Sequence, residues 1–138
     1  MLYFPANPLV AVASPEHVLV GQKRVTLAQL AEEMFLLREE GSGTRAAVEE
    51  VFEVAGIPLK VGMVLGHVEA IKRAVAAGLG VSVLSALAVK REVQYHTLAI
   101  LDVEQFPLQR RWYIARLVER PLTASADVFI QFLHVYRQ

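Results

Sequence analysis

Residues 34–58 read MFLLREEGSGTRAAVEEVFEVAGIP, and this stretch has the pattern of a buried strand that leads through a glycine loop into a helix. Residues 34–37 form a short continuous apolar run, which predicts a strand buried on both faces. Over residues 44–55 the apolar side chains recur at helical spacing, and the glutamates lie mainly on the other face. A glycine at 56 and a proline at 58 end this helix.

The same alternation of strand and helix continues on both sides of this stretch. Further strand-like runs are residues 9–13, 60–65 and 81–84. The segments with a helical pattern are residues 68–79 and 85–91, and a capping box formed by Thr26 and Gln29 begins one more helix. Strands separated by helices of this length imply right-handed crossovers. The sequence therefore predicts an α/β fold, Rossmann-like, with a largely parallel sheet.

The last third of the chain has a different pattern. Residues 98–101 are a brief apolar run, and residues 108–117 are a longer strand candidate. Residues 123–136 predict a helix that Thr123 caps, with a strongly apolar face. A helix of this kind needs a sheet or a partner to cover it.

Composition excludes several classes of protein. The chain has 138 residues, 54% of them hydrophobic, which suffices for one modest domain or two small lobes. Its 14 basic and 14 acidic residues balance, whereas a general nucleic-acid binder usually has a basic surplus. There is no cysteine, so disulfides and thiolate metal sites are excluded. The apolar runs are short and the first residues lack a signal-peptide pattern, so we expect a soluble, cytoplasmic protein without a membrane span.

The glycine loop places Ser42, Gly43 and Thr44 at the entrance of a predicted helix. The free amides and partial positive charge of a helix N-terminus can hold a carboxylate or a phosphate. An ordinary capped turn is the alternative. Gly41 to Ala46 also fits a G-x-G-x-x-A pattern, but the acidic residue that a dinucleotide site wants at the end of the next strand is missing.

A second helix entrance lies at Gly66-His67-Val68-Glu69, again directly after a strand. The loops at the carboxyl ends of strands bind ligands in open α/β sheets, and His67 can donate to an anion there. The alternative is that His67 only caps the helix or lies exposed. The sequence has no nucleophile elbow, no metal-spaced cluster and no P-loop, so it predicts neither catalysis nor a metal or cofactor site.

Five segments, taken in order, are similar to a known family. They are PLVAVASPEH at 8–17, LAQL at 27–30, FLLREEGSGTR at 35–45, VAAGLGVSVLS at 75–85 and RRWYIAR at 110–116. Together they resemble the effector-binding (substrate-binding-like) domain of LysR-type transcriptional regulators. The run REEGSGTR at 38–45 is most similar to the branch that includes regulators of carbon-fixation operons.

The resemblance implies two Rossmann-like lobes, built like periplasmic binding proteins, that close on a small effector. Residues 10–106 would be the second lobe. Residues 1–9 would be a remnant of the first lobe and its crossover, and residues 107–138 the return crossover strand and the C-terminal helix of the first lobe. The DNA-binding winged helix-turn-helix, the linker helix and most of the first lobe would then lie outside this chain. Self-association into a homodimer or larger assembly would cover the apolar last helix.

The resemblance also implies a function. We expect a ligand-sensing regulatory domain without catalysis or cofactor, which binds a small anionic metabolite and acts allosterically on DNA-binding domains. DNA would be contacted only through those domains, and a membrane not at all. The expected effector-binding residues are Ser42, Gly43, Thr44, His67 and Val68. The alternatives are a nucleotide-dependent enzyme that uses Gly41 to Ala46, and the solute-binding protein of a transporter.

Overall fold

The computed structural model describes residues 2–4 and 6–136. The chain forms two compact units, of which the larger is Pro8–Gln109 and is called the large unit below. The described residues on either side of it form the small unit. The predicted lobe boundaries at residues 9 and 106 stay a prediction, and residues 1, 5, 137 and 138 of the flanking segments lie outside the described residues.

The order of the elements alternates between strands and helices through most of the chain. In sequence they are β1 (Leu2–Phe4), β2 (Leu9–Ala13), α1 (Leu27–Ala31), β3 (Met34–Arg38), α2 (Gly43–Val54), β4 (Lys60–Leu65), α3 (Val68–Ala76), β5 (Ser82–Ser85), α4 (Ala86–Gln94), β6 (Ala99–Ile100), β7 (Trp112–Ile114) and α5 (Ala124–Val135). No helix among the described residues has the length and apolar character needed to cross a bilayer.

The strands of the large unit run in mixed directions. β3 pairs with β4 in parallel, from Met34 opposite Lys60 to Arg38 opposite Leu65. A parallel bridge joins Phe35 to Val81, directly before β5. β2 lies between β5 and β6 and is antiparallel to both. The architecture is therefore α/β with the predicted parallel strands, and the opposite direction of β2 is a feature that its uniformly apolar sequence does not encode.

The core consists of two clusters, one on each face of β3. Successive side chains of a strand point to opposite faces, so Phe35 and Leu37 enter one cluster and Leu36 enters the other. We call them the α2 face and the α3 face after the helices that pack on them. The helix residues buried there are Val48 and Phe52 of α2, and Ile71 and Val75 of α3.

Side-chain caps begin most of these helices, as the sequence predicted. Thr26 forms a capping box with Gln29, because its hydroxyl accepts the Gln29 N–H at 3.1 Å while the Gln29 side chain accepts the Thr26 N–H at 2.8 Å. Ser85 caps α4 and Thr123 caps α5 through bonds of 3.1 and 3.2 Å. These local bonds fix where the helices start, although the predicted helix at 85–91 extends to Gln94.

Loss of the α1 cap gives the first prediction. Replacement of Thr26 by alanine is expected to lower the free energy of unfolding by about 1 kcal/mol, because the hydroxyl that accepts the Gln29 N–H is lost. Chemical denaturation followed by circular dichroism measures this. Replacement of exposed Glu16 by alanine, in the loop after β2, serves as the control and should leave stability nearly unchanged. An equal loss in both variants would contradict the role of the cap.

The small unit corrects one prediction. The strand predicted over residues 108–117 is wrong in length, since only Trp112–Ile114 forms β7. Among the described residues, the antiparallel ladder that holds β7 joins it to β1 by three residue pairs, from Leu2 opposite Ile114 to Phe4 opposite Trp112. Leu108 instead forms a bridge with Leu9 in the large unit. The predicted apolar helix is present as α5, and it has no buried residue.

Candidate functional site

A crevice forms where β3 and β4 end. These strands are adjacent and parallel, so the loops that follow them leave the sheet at the same edge. The loop after β3 leads to α2 on one face, and the loop after β4 leads to α3 on the other face. Adjacent loops that diverge to opposite faces define the topological switch point of an open α/β sheet, the place where such sheets bind ligands. We call it the switch-point crevice.

The α2 entrance to this crevice contains three of the predicted site residues. Ser42 is the N-cap, half-buried, and its Oγ accepts the Arg45 N–H at 3.4 Å. Gly43 and Thr44 are the first two residues of α2. The turn before them needs glycine at position 41, whose φ of +88° is unfavourable for other residues. The backbone amides and partial positive charge of this helix end are therefore presented at the carboxyl edge of the sheet.

An open cavity of about 300 Å³ lies at the α2 entrance. It is bordered by residues 40–43 together with Arg45, Ala46 and Glu49. Arg45 is held by protein partners, since it forms an ion pair with Glu49 and donates to the Arg38 carbonyl at 3.2 Å. The cavity is thus bordered by both positive and negative side chains. The guanidinium of Arg45 is already bound by Glu49 and by the Arg38 carbonyl.

The α3 entrance contains the other two predicted residues. His67 is the N-cap of α3 and is exposed, but its side chain makes no capping hydrogen bond. Of the two alternatives considered for His67, exposure is right and side-chain capping is wrong. Val68, half-buried, is the first helical residue. Glu69, in the first turn of α3, forms an ion pair with Lys72, with Oε1 of Glu69 2.7 Å from Nζ of Lys72. The α3 N-terminus therefore lacks a side-chain acceptor from its N-cap residue.

An ion pair at the end of β3 belongs to the same edge, and the sequence reasoning missed it. Glu39 accepts two hydrogen bonds from Arg38, 3.0 Å from Nε and 2.9 Å from Nη2. The Arg38 side-chain bond is the largest influence that lowers the pKa of Glu39 to about 2, followed by a backbone hydrogen bond. The charges of Arg38 and His67 act in the same direction. The carboxyl group is therefore ionised at neutral pH.

The structure brings the two predicted sets of residues to one crevice. Because β3 and β4 are adjacent and parallel up to Arg38 opposite Leu65, the α3 entrance lies beside the loop that leads into α2. Ser85, at the end of β5, uses its Oγ to cap α4. Among the described residues no group of three or more His, Asp or Glu side chains is arranged to hold a metal ion.

Comparison with known proteins assigns the fold to a family. Residues 3–136 match the family model described as the LysR substrate binding domain. The chain belongs to this family. A RuBisCO operon transcriptional regulator of Allochromatium vinosum is 44% identical over 130 residues, which are 94% of this chain and 43% of the relative. The HTH-type transcriptional activator CmpR of Synechocystis sp. is 43% identical over 134 residues, 97% of this chain and 44% of that protein.

Solved structures show the same LysR substrate-binding-domain fold. The Synechocystis PCC6803 CcmR regulatory domain, solved in complex with 2-PG, is 39% identical with a TM-score of 0.92, over 99% of this chain and 67% of that one. The effector-binding domain of QuiR in complex with shikimate has a TM-score of 0.83 at 20% identity and supports the fold alone. The predicted α/β class, the periplasmic-binding-protein-like architecture and the likeness to carbon-fixation regulators are confirmed.

These findings also bear on the alternatives. The relatives are named as transcriptional regulators, so the nucleotide-dependent enzyme and the transporter protein lose support. The LysR substrate-binding domain described here spans less than half the length of the curated relatives it matches. The match alone therefore does not assign the activities of those whole proteins to this chain.

Proposed function

We propose that this LysR substrate-binding domain senses a small anionic metabolite for a transcriptional regulator. The observation that carries the proposal is the switch-point crevice, where two helix N-termini meet the carboxyl ends of two adjacent parallel strands. Both helix ends place partial positive charge at the same edge, and that favours an anion over a neutral or cationic ligand. The ligand would be sensed without being chemically changed.

The residues proposed to contact the anion are those at the two entrances. Gly43 and Thr44 offer the backbone amides of α2, and Ser42 offers a hydroxyl. His67 offers a ring N–H from the other side, where its side chain is exposed and makes no capping bond. Val68 adds a half-buried apolar contact and the first amide of α3.

The solved relative supports the choice of ligand class. The CcmR regulatory domain, 39% identical with a TM-score of 0.92, was solved with 2-PG bound. That compound is therefore the first ligand to test on this chain. Phosphoenolpyruvate, sugar phosphates and dicarboxylates are the next candidates, because they present the same negative charge to the crevice.

Transmission of the signal would depend on the two lobes to which the two units belong. We propose that the large unit is the second effector-binding lobe and that the small unit belongs to the first lobe. Closure of the lobes on the anion would change the arrangement of a homodimer or larger assembly in the cytoplasm. That change would move DNA-binding domains that are not part of this chain.

Titration with 2-PG, followed by amide chemical shifts, tests the proposal. We expect the amides of residues 42–45 and 67–69 to shift together with one Kd. Replacement of Ser42 by alanine should raise the Kd about tenfold, since a hydrogen bond to a charged group is lost. Replacement of Thr123, another helix N-cap, should leave the Kd unchanged. If all these anions shift other surfaces and leave the two entrances unaffected, the proposed function is wrong.

A further inference from the structure

The position of Arg38 places a cation at the carboxyl edge of the sheet, where the proposed anion site lies. Arg38 is the last residue of β3 and lies opposite Leu65, which packs against the cluster on the α3 face. Leu36, two residues earlier on the same strand, also lies in that cluster. Because side chains alternate along a strand, both observations place the Arg38 side chain on the α3 face at the carboxyl edge. This is the side on which His67 begins α3.

The partner of Arg38 has the chemistry of an anionic ligand. The Glu39 carboxylate holds the guanidinium in a two-point arrangement, the geometry in which arginine also binds free carboxylates and phosphates. Neither group is locked in the core, since the side chains of Arg38 and Glu39 are 23% and 46% exposed. Both side chains are in contact with solvent, so an anion from solution can reach the guanidinium.

We propose that Glu39 is a built-in competitor of the anion: it occupies the Arg38 guanidinium in the empty site, and the incoming anion displaces it. This inference rests on the proposed function and specifies the regulation of the same site. The carboxylate of Glu39 then rotates towards solvent, and Arg38 exchanges one anionic partner for another. The affinity of the site is therefore lower than a free arginine would give, so the domain responds only above a threshold concentration.

The surrounding charges favour this role for Arg38 over its neighbour. Arg45, the other guanidinium near the α2 entrance, is bound at the same time by Glu49 and by a backbone carbonyl. Arg38 has an exchangeable side-chain partner and faces the α3 entrance. The Glu39 carboxyl stays ionised near neutral pH, because the bond from Arg38 and the charge of His67 hold its pKa low. The Glu39 carboxylate is thus negatively charged at the neutral pH at which the anion binds.

Substitution of Glu39 tests the proposal with a matched control at the C-terminal end of α2. Glu39→Gln should lower the Kd for 2-PG about tenfold and produce the same change for inorganic phosphate, because Arg38 becomes free. Glu53→Gln removes the same charge from an exposed position of that helix, away from the crevice, and should change the Kd less than twofold. Arg38→Gln should weaken binding, and adding Glu39→Gln to it should restore no affinity. Amide spectra of each variant confirm that it remains folded.

The outcomes separate this inference from the proposed function. If the wild type binds anions at residues 42–45 and 67–69 but Glu39→Gln and Glu53→Gln tighten binding equally, only net charge matters and the competitor is refuted. The same holds if Glu39→Gln tightens binding as much in the Arg38→Gln background. If the wild type binds neither probe, the proposed function fails. A Glu39→Gln variant that then binds phosphate would support the competitor, and one that does not would refute it.

Discussion

Replacement of Phe52 by alanine is expected to lower the free energy of unfolding by about 3–5 kcal/mol, a large share of the stability of a domain this size. Phe52 is 1% exposed and packs edge-on against Phe35, with ring centroids 5.6 Å apart and an interplanar angle of 72°. The substitution removes this aromatic contact between α2 and β3 and leaves a cavity on the α2 face. Urea denaturation followed by circular dichroism measures the loss.

The apolar helix α5 offers a matched control for this substitution. Phe129 has the same side chain but is 59% exposed, so its replacement by alanine should change stability by less than about 1 kcal/mol. A comparable loss in both variants would mean that α5 is as well packed as α2. Burial in the described chain would then be a poor guide to which helix holds the fold together.

Replacement of Lys72 by methionine is expected to cost about 2–4 kcal/mol, because it leaves a carboxylate unpaired between α3 and α4. The Lys72 side chain is 8% exposed. Its ammonium group donates to the Ala88 carbonyl at 2.9 Å and pairs with Glu69 at 2.7 Å and Glu92 at 2.8 Å. The second carboxylate oxygen of Glu92, Oε2, is buried and has no hydrogen-bond partner among the described residues, so the Glu92 carboxylate loses its main partner once the ammonium is gone.

The pH dependence of this ion pair follows from its pKa shifts. Burial opposes the charge of Lys72, but the bonds from Glu69 and Glu92 outweigh it and raise the pKa of Lys72 above its ordinary 10.5. The Lys72 bond lowers the pKa of Glu92 below its ordinary 4.5. The stabilisation is therefore fully present between about pH 4.5 and 10.5. It declines as acid protonates Glu92 or as base deprotonates Lys72.

A second lysine of the same large unit provides the control for Lys72. Lys60 forms an ion pair of 2.7 Å with Glu32, but the two side chains are 53% and 75% exposed. Lys60→Met should therefore cost less than about 1 kcal/mol. Adding Glu92→Leu to Lys72→Met should recover much of the loss, since no buried charge then remains. Equal costs for the two lysines would contradict the prediction.

Local signals explain why the helices were predictable. The capping box at Thr26 and the N-caps at Ser85 and Thr123 are each complete within four residues. They can therefore be read from the local sequence alone. Strand pairing is different, because it depends on residues far away. Among the described residues β7 pairs with β1, more than a hundred positions earlier, and no pattern within residues 108–117 specifies that partner.

The candidate site was predictable for the same reason, and only in part. A glycine turn between a strand and a helix locates Ser42, Gly43 and Thr44 at a helix entrance without knowledge of the rest of the chain. The Arg38–Glu39 pair was missed because neighbouring residues on a strand point to opposite faces. These two side chains meet only because β3 ends at Arg38 and the backbone turns there.

The place of β2 in the sheet affects how the protein forms on the ribosome. β2 is made early, yet its two neighbours come late, since Leu9 pairs with Ser85 and Val12 pairs with Ile100. Pairings so distant in sequence slow folding, because a long loop must close before they form. Until residues 82–85 have left the exit tunnel, the apolar strand LVAVA has neither of its native partner strands, and β6 follows only at residues 99–100. A chaperone that holds this strand would prevent its aggregation during that interval.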